Sequence, residues 1–176
     1  LHNCGAGHGH ARDIYHLAQY EDIAAAFRMI CEQFPDAPHT LIGFSLGGGL
    51  VLNLLGRVKN LPNNMVRAAA ISAPLDLVAN ETKWKRFMWS KFESSIVRRL
   101  CEHVNSLSHN LAHTIDMATL KRVKTLRDFD ENITSRFAGF AGADVYYRKT
   151  SPISNLQNIK VKTLYMCAKD DPIIDT

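Results

Sequence analysis

No run of about 18 uninterrupted apolar residues occurs in this 176-residue chain, so no membrane span is expected within it. No signal-peptide pattern is expected at its start either. Cysteine is sparse. Cys4, Cys31, Cys101 and Cys167 are scattered and form no C-x-x-C pair. They read as free thiols in a reducing compartment, two of them buried, in a protein that is cytoplasmic or membrane-associated. Neither composition nor charge is extreme. An apolar content of 46% with 22% charged residues excludes a disordered or fibrous chain. A net charge of +4 does not indicate a nucleic-acid partner without a motif to match. Internal repeats and low-complexity segments are missing as well. No methionine precedes Leu1, and "KDDPIIDT" follows a strand-like run with nothing behind it to close a sheet. The chain is expected to be a fragment of a single longer domain.

What is present is an alternation of strands and helices. Residues 1–3 fit the tail of a strand, followed by the Gly/His loop "CGAGHGHARD". Over residues 17–34 apolar side chains recur at Tyr20, Ile23, Ala24, Phe27, Ile30, Cys31 and Phe34, the spacing of an amphipathic helix that Pro35 ends. "HTLIGF" reads as a strand buried on both faces, and residues 45–58 as a helix. Residues 65–72 and 161–168 read as two more buried strands. The expected fold class is α/β, a mostly parallel sheet flanked by helices. Between Pro74 and Pro152 helical periodicity replaces strand patterns, which predicts a helical lid insertion over about residues 78–150.

The most informative stretch is "TLIGFSLGGGLVL", residues 40–52, in which Gly43-Phe44-Ser45-Leu46-Gly47 spells G-x-S-x-G between a strand and a helix start. That is the context of a nucleophile elbow, a sharp turn that leaves the serine Oγ exposed above the sheet. Flanking glycines are expected because side chains there would clash with the turn. A serine hydroxyl needs a base to take its proton. The following helix aims N–H groups at a developing oxyanion, with Leu46 N–H as one donor.

An orienting acid should follow the serine in chain order, with the base last. "CAKDDPI" closes the last expected strand with two aspartates. Asp171 is the expected acid and Asp170 its alternative, for a carboxylate there can orient a histidine tautomer. All eight histidines (His2, His8, His10, His16, His39, His103, His109 and His113) precede Asp171. The base is therefore expected beyond Thr176.

These residues carry a resemblance. "GFSLGG" at the elbow, "SAPLDL" at residues 72–77, and the stretch 126–173 with its "DFDENIT", Tyr-Tyr, Ser-Pro and Asp-Asp-Pro resemble the α/β-hydrolase superfamily. The resemblance is closest to its branch of abhydrolase-domain esterases and lipases that includes YheT-like proteins. It implies a Ser–Asp–His triad, carried here onto Ser45 and Asp171 with no histidine to match. It also implies a second oxyanion donor before Leu1 and a partial fold missing strands at both ends of its sheet.

Three features have a sharper and a blander reading. His2, His8 and His10 lack any standard zinc spacing, so no metal is expected, and "GAGHG" is no nucleotide loop. "KWKRFMWSKF", residues 83–92, reads as an amphipathic lid, either packing its aromatics inward or touching an anionic membrane surface. Asp130 and Glu131 are expected near the start of a helix, and Tyr146 and Tyr147 as packing residues. The expected function is a serine hydrolase of carboxylic esters, acylglycerols or other lipid esters, without cofactor. The alternative is a non-catalytic scaffold of the same fold that binds a ligand or partner.

Overall fold

The computed structural model describes residues 2–84, 89–107, 109, 111–113, 115–171 and 173–175, and of residues 84 and 89–91 the backbone alone. The chain divides into two compact units, one of residues 17–80 and 150–176 and the other of residues 1–16 and 81–149.

The first unit is built on helix α1 (Tyr20–Gln33), strand β1 (His39–Phe44), helix α2 (Leu46–Arg57), strand β2 (Met65–Ile71) and strand β3 (Lys162–Met166). The three strands form one parallel sheet in the order β1-β2-β3. Glu21 and Asp22 in the first turn of α1 complement its dipole. Ala24, Phe27 and Cys31 of α1 meet Val51, Leu54 and Leu55 of α2 and Met65 and Ala68 of β2 in one core cluster. A smaller cluster joins Leu52, Ala70 and Ala73, with Leu156 and Tyr165 against it. A turn of 3-10 helix (Pro152–Asn158) leads into β3.

Side chains alternate across a strand, so each strand shows one residue set to these helices and the other set to the opposite face. That opposite face is exposed. Ile42, Phe44, Leu164 and Met166 lie 51–66% open to solvent, and the register aligns Ile42 with Ala69 and Leu164, and Phe44 with Ile71 and Met166. The expectation of strands buried on both faces is thus corrected: the described residues cover one face only. The apolar run that suggested double burial is real, but its second half makes an open apolar strip.

The second unit is helical among its described residues. Helix α3 (Leu77–Trp84) enters it, and α4 (Trp89–Ser106), α5 (Met117–Arg122), α6 (Leu126–Phe129), a π-helical turn (Asp130–Thr134), α7 (Ser135–Phe137) and α8 (Ala143–Thr150) follow. Val97 and Val104 of α4 pack with Leu120, Phe129, Ile133 and Phe137. Asp116 caps α5 by accepting the Thr119 N–H at 2.6 Å. Thr125 and Asp128 form a reciprocal capping box on α6. Residues 2 and 3 form a turn instead of the expected strand tail. Asn3 is fully buried there at φ 52°, donating to the carbonyls of Ala11 and Asp13 and accepting from Gly9 N–H. A side chain that closes a loop on itself has replaced strand pairing. Of the cysteines, Cys31 alone is buried and the other three are half-buried, one fewer than expected. The 83–92 segment falls mostly outside the described residues.

Candidate functional site

Ser45 joins β1 to α2 with φ 49° and ψ −124°. A residue with a side chain rarely adopts such a backbone, and holding it there costs about 1–3 kcal/mol. The neighbourhood enforces it. Ser45 N–H donates to the Ile71 carbonyl at 2.8 Å, and its own carbonyl accepts from Gly49 N–H at 3.2 Å. The Ser45 side chain makes no capping bond to α2, and the residue is exposed, so Oγ is presented outward.

The glycines make the turn possible, though not both of those flanking the serine. A Cβ on Gly43 would fall on the Gly47 carbonyl group and lie 2.7 Å from Gly48 N. A Cβ on Gly47 would meet nothing within 4 Å. The second crowded position is Gly48, whose Cβ would stand 2.7 Å from that of Ala73. The expected clash at Gly47 is therefore corrected to Gly48, where α2 passes closest to the end of β2. Leu46 is the first residue of α2, so its N–H has no acceptor within the helix and lies at the positive end of the helix dipole.

Asp171 follows the end of β3. Its Oδ1 accepts from Ile173 N–H at 2.8 Å and Ile174 N–H at 3.0 Å, and its backbone N–H donates to the Ala168 carbonyl at 3.1 Å. Oδ2 faces Cys167, whose Sγ is 3.7 Å away. Asp170 is exposed, and its carboxylate has no partner among the described residues. Phe44 and Met166 occupy one row of the sheet two strands apart, so Ser45 and Cys167, each one residue later, leave the same end of the sheet about 10 Å apart.

Three neighbours of this end escaped sequence reasoning. Ser72, one residue past β2, is a second non-glycine turn at φ 46°, its N–H donating to the Met166 carbonyl at 2.7 Å. Tyr165 donates its hydroxyl to the Ala73 carbonyl at 3.0 Å. Burial first, and Cys167 beside it, push this phenol up to about 12. Asn80 is fully buried and accepts the Asp175 N–H at 2.8 Å, tying the residues after Asp171 to α3. Ser72 opens the "SAPLDL" stretch, but nothing in that stretch signals its turn, and no local motif signals Tyr165 or Asn80. His39, the one histidine of this unit, lies at the opposite end of β1 with Nε2 3.1 Å from the Phe34 carbonyl oxygen, so it faces away from Ser45.

In the helical unit, the "DFDENIT" acids separate into three roles. Asp128 is the capping residue. Glu131 accepts the N–H of Ala143, the first residue of α8, at 2.7 Å, as expected of an acid at a helix start. Asp130 opens the π-helical turn, as expected, and its side chain turns to Tyr147. Its carboxylate is buried under the Tyr147 hydroxyl at 2.7 Å, and burial raises its pKa to about 6 against the pull of Thr134, Tyr147 and Arg127. Tyr146 and Tyr147 are both buried, Tyr147 completely. Arg127 reaches Glu81 at 2.9 Å and Asp144 at 2.8 Å. No cluster of three or more metal-ligating side chains occurs among the described residues.

Comparison with known proteins bears on the fold. The profile of the α/β-hydrolase fold matches residues 3–176, and the chain belongs to that family. It is 34% identical over 171 residues to "Putative esterase YheT" of Escherichia coli, covering 92% of this chain and 48% of that protein. It is 29% identical to "Phospholipase ABHD3" of Homo sapiens, covering 89% of this chain and 38% of the relative, and 25% identical to "Monoacylglycerol lipase" of Saccharomyces cerevisiae, covering 92% and 37%. The chain spans less than half the length of these relatives. No solved structure matches it significantly. No helix among the described residues is long and apolar enough to cross a membrane.

Proposed function

We propose that Ser45 is the nucleophile of a carboxylic-ester hydrolase acting on acylglycerols or other lipid esters. The observation that carries this reading is the backbone of Ser45: a strained, exposed serine between a strand and a helix, with its Oγ left out of the helix cap. Strain of this kind is retained where it presents a reactive group.

In the reaction, a base removes the proton of Ser45 Oγ as that oxygen attacks the acyl carbonyl. Leu46 N–H, at the start of α2, donates to the oxyanion of the tetrahedral intermediate. The carbon–oxygen bond to the alcohol breaks, and the alcohol takes the proton from the base. Water then attacks the acyl-serine, passing its proton to the base, and the fatty acid leaves as Ser45 regains its hydrogen. Asp171 orients the base and stabilises its protonated form. Its Oδ1 accepts from two backbone N–H groups, which fixes the orientation of the carboxylate toward the base. The base is a histidine outside residues 1–176, a reading supported by the place of His39 at the wrong end of the sheet. The names of the relatives support lipid esters as the substrate class.

Labelling by a fluorophosphonate probe tests this. The full-length protein should label, its Ser45→Ala variant should not, and the 176-residue chain should stay dark for want of a base. A folded full-length protein that also stays dark would replace this reading with the non-catalytic scaffold.

A further inference from the structure

Three consecutive backbone N–H groups after Asp171 go to two side chains. Ile173 and Ile174 donate to Asp171 Oδ1 at 2.8 and 3.0 Å, and Asp175 donates to Asn80 Oδ1 at 2.8 Å. Asp171 and Asn80 therefore grip the same short stretch of chain. The bonds to Asp171 span two and three residues, so they shape the turn without anchoring it to the rest of the fold. Ile174 is buried, but apolar packing is non-directional. The bond to Asn80 is directional and reaches 95 residues back along the chain.

Asn80 is itself held. It is fully buried in the first turn of α3, and its N–H donates to the Asp76 carbonyl at 3.0 Å. The Asp76 carboxylate accepts from Val78 N–H at 2.9 Å, closing the start of that helix. Leu77 N–H donates to Ser151 Oγ at 3.0 Å, and Ile153 N–H to the Leu75 carbonyl at 3.0 Å, so the start of α3 is joined to residues 151–153. Asn80 Nδ2 has no acceptor among the described residues. A substitution at Asn80 thus tests its side-chain bond to Asp175.

We propose that Asn80 is a positioning residue for the catalytic acid: by holding Asp175 N–H from the first turn of α3, it fixes the turn whose Ile173 and Ile174 N–H groups orient the Asp171 carboxylate. The link to catalysis rests on the hydrolase reading, whereas the ordering of the turn rests on the hydrogen bonds alone.

Two measurements on the full-length protein test this. The first is a double-mutant cycle in ester hydrolysis. Asn80→Leu removes the acceptor while filling its space; Asn80→Ala removes it without added bulk and replaces the leucine variant if that one does not fold. In the otherwise unaltered protein the substitution should lower kcat by about 10²-fold with KM little changed, the scale of a small misplacement of a catalytic group. Combined with Asp171→Asn, which leaves no carboxylate to misplace, it should lower kcat by less than about threefold more. Equal losses in both backgrounds would mean a merely structural role and would overturn the proposal, as would a folded variant with unaltered kcat.

The second is amide hydrogen exchange resolved by residue, which needs no turnover. Asn80→Leu should speed exchange at Ile173 and Ile174 as well as at Asp175, by about tenfold or more. Faster exchange at Asp175 alone would show that the turn orders itself without Asn80, and would overturn the proposal. If exchange rises at all three residues while the protein fails to label at Ser45, the ordering of the turn by Asn80 stands and only its link to catalysis falls.

Discussion

Tyr147 holds the carboxylate of Asp130 from a helix 17 residues further along the chain, its hydroxyl donating at 2.7 Å to a half-buried residue. Burial raises the folded pKa of Asp130 from 3.8 to about 6. Between those values the folded state binds more proton than the unfolded one, so this group's contribution to stability falls as pH rises from about 4 to about 6. The difference above pH 6 is on the order of 3 kcal/mol against folding. Asp130→Asn, which copies the protonated acid, should flatten that part of the stability–pH curve and gain most at pH 8. Tyr147→Phe should steepen it, because losing the donor raises the Asp130 pKa further. Thermal melts at pH 5 and pH 8 measure both, and parallel shifts at the two pH values would contradict the assignment.

The glycines of the elbow separate by what a methyl group would strike. Gly43→Ala puts Cβ onto the Gly47 carbonyl group, a backbone atom that cannot step aside. It should cost several kcal/mol and empty the soluble fraction. Gly47→Ala meets no atom within 4 Å and replaces glycine inside the first turn of α2, so it should leave stability unchanged or raise it by up to about 1 kcal/mol. Circular-dichroism melts of the two variants decide, and similar losses in both would contradict the geometry.

The bounds of β1 and α2 were legible because punctuation brackets them. Pro38 stands just before the apolar run, and the Gly-rich turn at Ser45 just after it. The place of two aspartates after a strand was legible, though the sequence could not separate Asp171 from Asp170. That distinction lies in the N–H groups of Ile173 and Ile174, which only a folded turn directs at one carboxylate. The buried turn at Asn3 was illegible for a similar reason: its partners at residues 9, 11 and 13 follow no periodicity. The sequence grouped Asp130 with Glu131 at a helix start, yet Asp130 faces Tyr147 through a contact 17 residues away. Local patterns report helix ends well and long-range polar contacts poorly.

The exposed sheet face carries its own expectation. Ile42, Phe44, Leu164 and Met166 form a contiguous apolar strip on one side of three parallel strands. Such strips bind hydrophobic dyes and drive association. The 176-residue chain should bind anilinonaphthalene sulfonate and associate as its concentration rises. Leu164→Lys with Met166→Lys should reduce dye fluorescence several-fold and shift sedimentation toward monomer. Both positions point to solvent, so the substitutions should not unfold the chain.

The two aspartates after β3 offer the sharpest test of the proposed triad. Asp171 is fixed by two backbone N–H groups on Oδ1, and its Oδ2 meets Cys167 Sγ at 3.7 Å, whereas Asp170 is exposed to water. An acid that orients a histidine must itself be oriented, since a mobile carboxylate cannot select one tautomer. Asp171→Asn in the full-length protein should keep the backbone turn, because its side-chain carbonyl still accepts from Ile173 and Ile174, yet lower kcat by about 10⁴-fold by presenting an amide to the imidazole. Asp170→Asn should change kcat by less than about threefold. Ester hydrolysis measured for both variants, with melting curves to show that each is folded, separates the two carboxylates. If Asp170→Asn carried the large loss and Asp171→Asn the small one, Asp171 would be a turn residue and the acid would be its neighbour.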